Sequence, residues 1–127
     1  MKATDVIIYT DMDGTALTDW SLGPVVPERN LARIRSFVSA GGLFSVASGR
    51  QAPGILQLFP GVAFHAPLVC GNGSVIYDPA EQQVLRKTCL PTDYKCACVS
   101  YFLTHPEVWI VCLLYTSPSP RDRQKSR

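Results

Sequence analysis

The sequence predicts an α/β fold with a parallel sheet, and three observations carry that prediction. Over about the first 77 residues, short apolar runs alternate with helical periodicity in the order strand, helix, strand, helix, strand. That order calls for one parallel sheet with right-handed crossovers. Each candidate strand also runs into a polar, glycine-containing motif: Asp11-Met12-Asp13-Gly14-Thr15, Ser48-Gly49-Arg50 and Gly71-Asn72-Gly73. Parallel sheets bring the carboxyl ends of their strands to one edge, where ligands bind. The three motifs are therefore expected to share a site. After residue 74 the pattern changes to a hairpin and a further helix.

Val6 to Tyr9 is a β-rich apolar run and reads as a buried parallel strand. A loop follows through Gly23-Pro24. Pro27 suits the first turn of a helix, with Glu28 favourable beside the N-terminal dipole. Leu31, Ile34 and Val38 repeat at helical spacing, and Arg29, Arg33 and Arg35 fall off that stripe. Gly41-Gly42 stops the helix. Leu43 to Ala47 is the second strand. A short helix is expected around Ile55 to Phe59, closed by Pro60-Gly61, and Leu68 to Cys70 is the third strand. Val75 to Tyr77 and Val84 to Arg86 read as a hairpin. Thr92 is expected to cap a helix to about Thr104, with Tyr94, Cys98, Tyr101 and Phe102 on one side. Val108 to Val111 is a further strand candidate.

Composition narrows the function classes. The 127 residues are about one domain. A hydrophobic content of 46% with 17% charged is ordinary for a globular chain. No apolar run approaches the roughly 18 residues of a membrane span, and Met1 to Asp5 has no signal-peptide layout. No membrane association and a cytoplasmic location are the expectation. The net charge of +2 comes from Arg121, Arg123, Lys125 and Arg127. The first 111 residues carry eight basic and nine acidic side chains, so no nucleic-acid partner is expected. The five cysteines include no C-x-x-C pair and read as reduced thiols, mostly buried. Oligomeric state is not legible.

The first motif carries the chemistry. Asp11 and Asp13, two apart at a strand end, repel each other unless a cation lies between them. Oxygen-only ligands suit Mg²⁺. Asp11 is placed to attack phosphorus. Asp13 is placed to protonate the leaving alkoxide and then deprotonate water. Gly14 lets backbone N–H groups approach phosphoryl oxygens. A calcium loop would need glycine at its sixth position and an acid at its twelfth, but Ala16 and Leu22 stand there. A solvated acidic turn is the other reading, and an apolar strand directly before the motif speaks against it.

Ile7 to Thr15, IIYTDMDGT, resembles the first motif of the haloacid dehalogenase-like hydrolases. In that family the second Asp marks phosphatases and phosphomutases. The resemblance implies Asp11 as nucleophile, Asp13 as acid/base, and Mg²⁺ held by the Asp11 carboxylate and the Asp13 main-chain carbonyl. Phe44 to Arg50 resembles the second motif, in which a strand-end hydroxyl, here Ser48, donates to the phosphoryl group. Val69 to Tyr77 resembles the N-G-A segment of the Cof-type branch, with Ser74 in place of Ala. The phosphate- and substrate-binding set implied is Met12, Gly14, Thr15, Ser48, Gly49, Arg50 and Asn72. A structural arginine is the alternative for Arg50, and a plain Asn-Gly turn is the alternative for Asn72.

Only about 34 residues separate Asp13 from Ser48, too few for a large inserted domain. A cap domain must then follow the third strand, as in Cof-type (C2-cap, subclass IIB) phosphatases. The expected organisation is a Rossmann-like parallel-sheet core over 1–79 and the beginning of an α+β cap over 80–111. The lysine and further acidic residues that the resemblance requires are expected beyond this chain, which reads as an inactive N-terminal fragment. Residues 112–127 read as a disordered tail, and their back-translation resembles a sequencing adapter.

The function expected is a Mg²⁺-dependent phosphomonoester hydrolase acting through an aspartyl phosphate on sugar phosphates or similar small phosphorylated metabolites. A phosphomutase of the same superfamily is one alternative. A non-catalytic, receiver-like phospho-accepting domain is another. Receivers place the acceptor Asp at the third strand, where this chain has Cys70-Gly71-Asn72-Gly73.

Overall fold

The first apolar run extends as β1 (Ile7–Thr10) in the computed structural model of the chain. The structure describes residues 5–17 and 23–109. β1 pairs in parallel with β2 (Leu43–Val46), Ile7 opposite Leu43 and Thr10 opposite Val46. The connection between them carries α1 (Glu28–Ser39). Its end follows from Gly41 and Gly42. Gly41 adopts φ +89, and its N–H donates to the Val38 carbonyl at 2.9 Å. The Gly42 N–H reaches the Phe37 carbonyl at 3.0 Å. These are the two bonds of a Schellman motif, which satisfies carbonyls the helix end would otherwise orphan. A Cβ on Gly42 would run into the Phe37 ring, so a larger residue there requires that ring to move.

The parallel arrangement reaches β3 (Leu68–Cys70) through a single bridge, Ala47 to Val69. Between them lies α2 (Ala52–Leu56), three residues earlier than the sequence suggests. Pro53 falls in its first turn, where a missing N–H costs nothing, and Phe59 lies past the helix rather than in it. β3 then pairs antiparallel with β4 (Val75–Asp78), which pairs with β5 (Gln83–Lys87).

Aromatic packing sets the core. Phe44, Phe59 and Phe64 form a triangle with ring centroids 5.8 to 6.0 Å apart. Val46, Ile55, Leu68 and Met12 are fully buried. Ser45, polar yet buried on β2, donates its hydroxyl to the Pro67 carbonyl at 2.8 Å. A buried hydroxyl without such a partner would cost stability. Arg35 donates to Glu28 Oε1 at 2.7 Å and to the Pro60 carbonyl at 2.6 Å, tying α1 to the segment after α2.

Several expectations need correction. β1 is not a buried strand: Ile7, Ile8 and Tyr9 are 49%, 42% and 43% exposed. Among the described residues β1 has β2 as its one partner strand. A parallel strand is buried when neighbours and helices cover it. The described residues break into compact units after Lys87. In the second unit, α3 (Thr92–Thr104) has the predicted bounds, but Pro91 rather than Thr92 holds the capping position. All its residues are exposed, including Tyr94, Cys98, Tyr101 and Phe102. The thiols follow suit: Cys70 is buried on β3, whereas Cys89, Cys96 and Cys98 are exposed because they lie just after β5 and on α3. Val108 and Trp109 form no strand. The rest of that strand candidate, Cys112 and the 112–127 tail lie outside the described residues. No described helix is long and apolar enough to cross a membrane.

Candidate active site

Three loops leave the carboxyl ends of β1, β2 and β3 and are joined by main-chain hydrogen bonds. The Ala47 N–H donates to the Thr10 carbonyl at 2.9 Å, linking the first loop to the second. The Ser48 N–H donates to Val69 at 2.9 Å, the Gly71 N–H to Arg50 at 3.1 Å, and the Asn72 N–H to Ser48 at 3.1 Å, linking the second to the third. The loop after β2 thus keeps its main-chain groups paired, with β1 and β3 and with the loop that follows β3.

A cleft of about 340 Å³ opens over this seam, lined by Asp11, Ala47, Ser48, Gly49, Val69, Asn72 and Gly73. Four of the sequence-derived site residues, Asp11, Ser48, Gly49 and Asn72, meet there. Met12, Asp13, Gly14, Thr15 and Arg50 are not among its lining residues.

Asp11 follows β1 directly, with its carboxylate exposed and accepting no hydrogen bond from a described residue. The chain then makes a wide turn over Met12–Ala16, closed by the Leu17 N–H on the Met12 carbonyl at 2.9 Å. Gly14 takes φ +80 within it, a conformation costly for any residue with a Cβ. The Met12 side chain is fully buried and anchors the turn in the core.

Ser48 is 5% exposed, and its Oγ accepts the Arg50 N–H at 3.2 Å. That bond leaves the hydroxyl proton available to an acceptor in the cleft. Asn72 sits at φ 53, ψ 39, in the left-handed region that Asn tolerates better than most residues. Its side chain lies over Gly49: a Cβ there would stand 3.0 Å from Asn72 Oδ1.

Asp13 is engaged elsewhere. Arg50 Nε donates to Asp13 Oδ2 at 3.1 Å and Nη2 donates to Oδ1 at 2.7 Å, a two-point fork. The hydrogen bonds from Arg50 hold the Asp13 carboxyl below the usual carboxylate range, and Asp13 in turn raises Arg50. The two side chains are 40% and 26% exposed. Solvent screening therefore limits the pair to at most about 1 kcal/mol of stability. Its importance is geometric. In the sequence Arg50 groups with the phosphate and substrate ligands, and its pairing with Asp13 spans 37 positions and has no signature in local spacing.

The donor set fits a hard cation in part. Asp11 offers a carboxylate, and the turn behind it offers main-chain carbonyls, both suited to Mg²⁺. Among the described residues no cluster of three or more His, Cys, Asp or Glu side chains is placed to hold a metal.

Comparison with known proteins agrees with this architecture. The sequence profile of the haloacid dehalogenase-like hydrolases matches residues 8–119. The 5-amino-6-(5-phospho-D-ribitylamino)uracil phosphatase YbjI of Escherichia coli K12 is 32% identical over 105 residues, 83% of this chain and 37% of that protein. A HAD/COF-like hydrolase from Plasmodium vivax superposes with a TM-score of 0.69 at 27% identity, over 80% of this chain and 37% of that one. The subclass IIB sugar phosphatase BT4131 shares the fold, with a TM-score of 0.60 at 16% identity over 78% of this chain and 37% of its own. The chain thus spans just over a third of the length of these relatives.

Proposed function

The chain belongs to the haloacid dehalogenase-like hydrolases, in their Cof-type branch, and on that premise we propose that the whole protein is a Mg²⁺-dependent phosphomonoester hydrolase. One observation carries the proposal: Asp11, Ser48 and Asn72, from three strand ends, line a single cleft. Its substrate class is a small phosphorylated sugar or polyol. The E. coli relative is named for a phosphoribityl compound, and its likeness to this chain supports that class.

In this reading an Asp11 carboxylate oxygen attacks phosphorus, and the bond to the leaving alkoxide breaks to give an aspartyl phosphate. Asp13 gives a proton to the departing oxygen. It then takes one from the water that attacks the aspartyl phosphate, releasing inorganic phosphate and restoring Asp11. Ser48 donates its hydroxyl to a phosphoryl oxygen, and Asn72 lines the same cleft. Gly49 leaves room for the Asn72 side chain, and the turn through Gly14 and Thr15 presents main-chain N–H groups. The Asp11 carboxylate and the Asp13 carbonyl would hold Mg²⁺, which when bound offsets negative charge on nucleophile and phosphoryl group. With both Asp13 oxygens held by Arg50, the carboxylate is in its base form; the acid role needs one of those two bonds to open.

The domain reading accompanies this proposal: a core over residues 1–79 and the beginning of a cap over 80–111. The test is phosphate release by the whole protein from a panel of phosphorylated sugars and polyols, with and without Mg²⁺. Turnover should require Mg²⁺, and Asp11→Asn should lower it at least about 1,000-fold, as loss of a nucleophile does. An Asp11→Asn protein that turns over normally would refute the assignment.

A further inference from the structure

We propose that Arg50 is a positioning residue that sets the carboxylate of Asp13, and not a ligand of the phosphoryl group. The inference rests on the phosphatase reading above and deepens it at one residue.

Three observations support it. Arg50 is anchored through its own main chain on both sides: its N–H donates to Ser48 Oγ at 3.2 Å, and its carbonyl accepts from Gly71 at 3.1 Å. The base of the side chain is therefore fixed to the seam that lines the cleft. The guanidinium contacts Asp13 through two different nitrogens on two different oxygens, at 3.1 and 2.7 Å. One hydrogen bond would leave a carboxylate free to rotate, but a two-point fork fixes its plane. Neither Arg50 nor Asp13 lines the cleft that holds Asp11, Ser48 and Asn72. The guanidinium thus meets the Asp13 carboxylate outside that lining.

The consequence concerns proton transfer. Asp13 lies on a turn containing a left-handed glycine and is exposed, so its own loop gives the carboxylate little restraint. Arg50 refers that carboxylate to the Ser48 and Gly71 loops. Loss of the fork should then slow the steps that move a proton and leave phosphate binding alone.

The experiment compares wild type, Arg50→Ala and Arg50→Lys in the whole protein with Mg²⁺. Affinity for inorganic phosphate is read by calorimetry, and turnover is read on an alkyl phosphate and on p-nitrophenyl phosphate. Both variants should bind phosphate within about 2-fold of wild type. A charged phosphate ligand would weaken it about 10-fold or more on removal. On the alkyl phosphate, kcat should fall about 10- to 100-fold with KM little changed, a portion of what acid catalysis supplies. On the aryl phosphate, the first turnover should keep its rate, because that leaving group departs without a proton, and later turnovers should slow. Lysine keeps the charge but cannot form the fork, so Arg50→Lys should behave as Arg50→Ala does. Phosphate affinity reduced about 10-fold, equal slowing of the first turnover on both substrates, or full rescue by lysine would each overturn the assignment. Wild type without phosphatase activity would remove the underlying reading instead, an outcome read before any variant is compared.

Discussion

Gly49 and Asn72 show how much a single position decides at this site. Gly49 is not among the glycines with positive φ, so its need for glycine does not come from a left-handed backbone. It comes from Asn72, whose Oδ1 would stand 3.0 Å from an added Cβ. Asn72 is exposed and its side chain can swing, so Gly49→Ala should cost little stability, within about 1 kcal/mol. It should move the Asn72 side-chain amide out of its place over Gly49. A shift of the Asn72 amide resonances with an unchanged urea midpoint is the expected result. Unmoved resonances would show that the methyl is accommodated in some other way. Gly49 was legible in the sequence as a member of the phosphate- and substrate-binding set. The residue that approaches was not, because Asn72 lies 23 positions away and its left-handed backbone has no advance signal beyond Asn-Gly. Arg50 is the parallel case: the residue stood out, but its partner Asp13 is fixed only by the fold.

At the scale of elements, the strands and helices of the first unit follow closely from the sequence. β3 begins and ends where its apolar run does, and α1 stops at its glycine pair for a specific hydrogen-bonding reason. What pattern could not give is environment. β1 and α3 carry apolar residues that read as core, yet Ile7, Ile8, Tyr94 and Tyr101 are exposed. Periodicity reports that a face is apolar, and burial depends on what is present to cover it. The β3–β4–β5 sheet has a testable property of its own. Tyr77 on β4, opposite Leu68 and Val84, is partly buried. That burial, with Cys70 and Asp78 nearby, pushes its phenol above its ordinary value. In the unfolded chain a tyrosine ionises near pH 10. Above that pH the unfolded state loses the Tyr77 proton first, so stability should fall as pH rises toward the raised native value. The urea midpoint of wild type should therefore drop more between about pH 9 and pH 11 than that of Tyr77→Phe. Equal losses would mean that Tyr77 ionises freely in the fold.

Across the whole molecule, the parallel strand ends, their hydrogen-bonded loops and the cleft form one arrangement built around Asp11. The order of strands and helices made the shared edge predictable, since parallel topology alone puts three carboxyl ends together. The bonds beyond the strand ladder were not predictable, because Gly71 to Arg50 and Asn72 to Ser48 are main-chain pairings that no side chain encodes. The proposed mechanism makes a covalent claim about Asp11, and that claim admits a direct measurement. The whole protein is mixed with an alkyl phosphate substrate and Mg²⁺, quenched in acid during turnover and reduced with borohydride, and the peptide containing residue 11 is sequenced by mass spectrometry. An aspartyl phosphate at position 11 would appear there as homoserine. Turnover with Asp11 recovered unmodified, or with the reduced residue at any other position, would contradict the account.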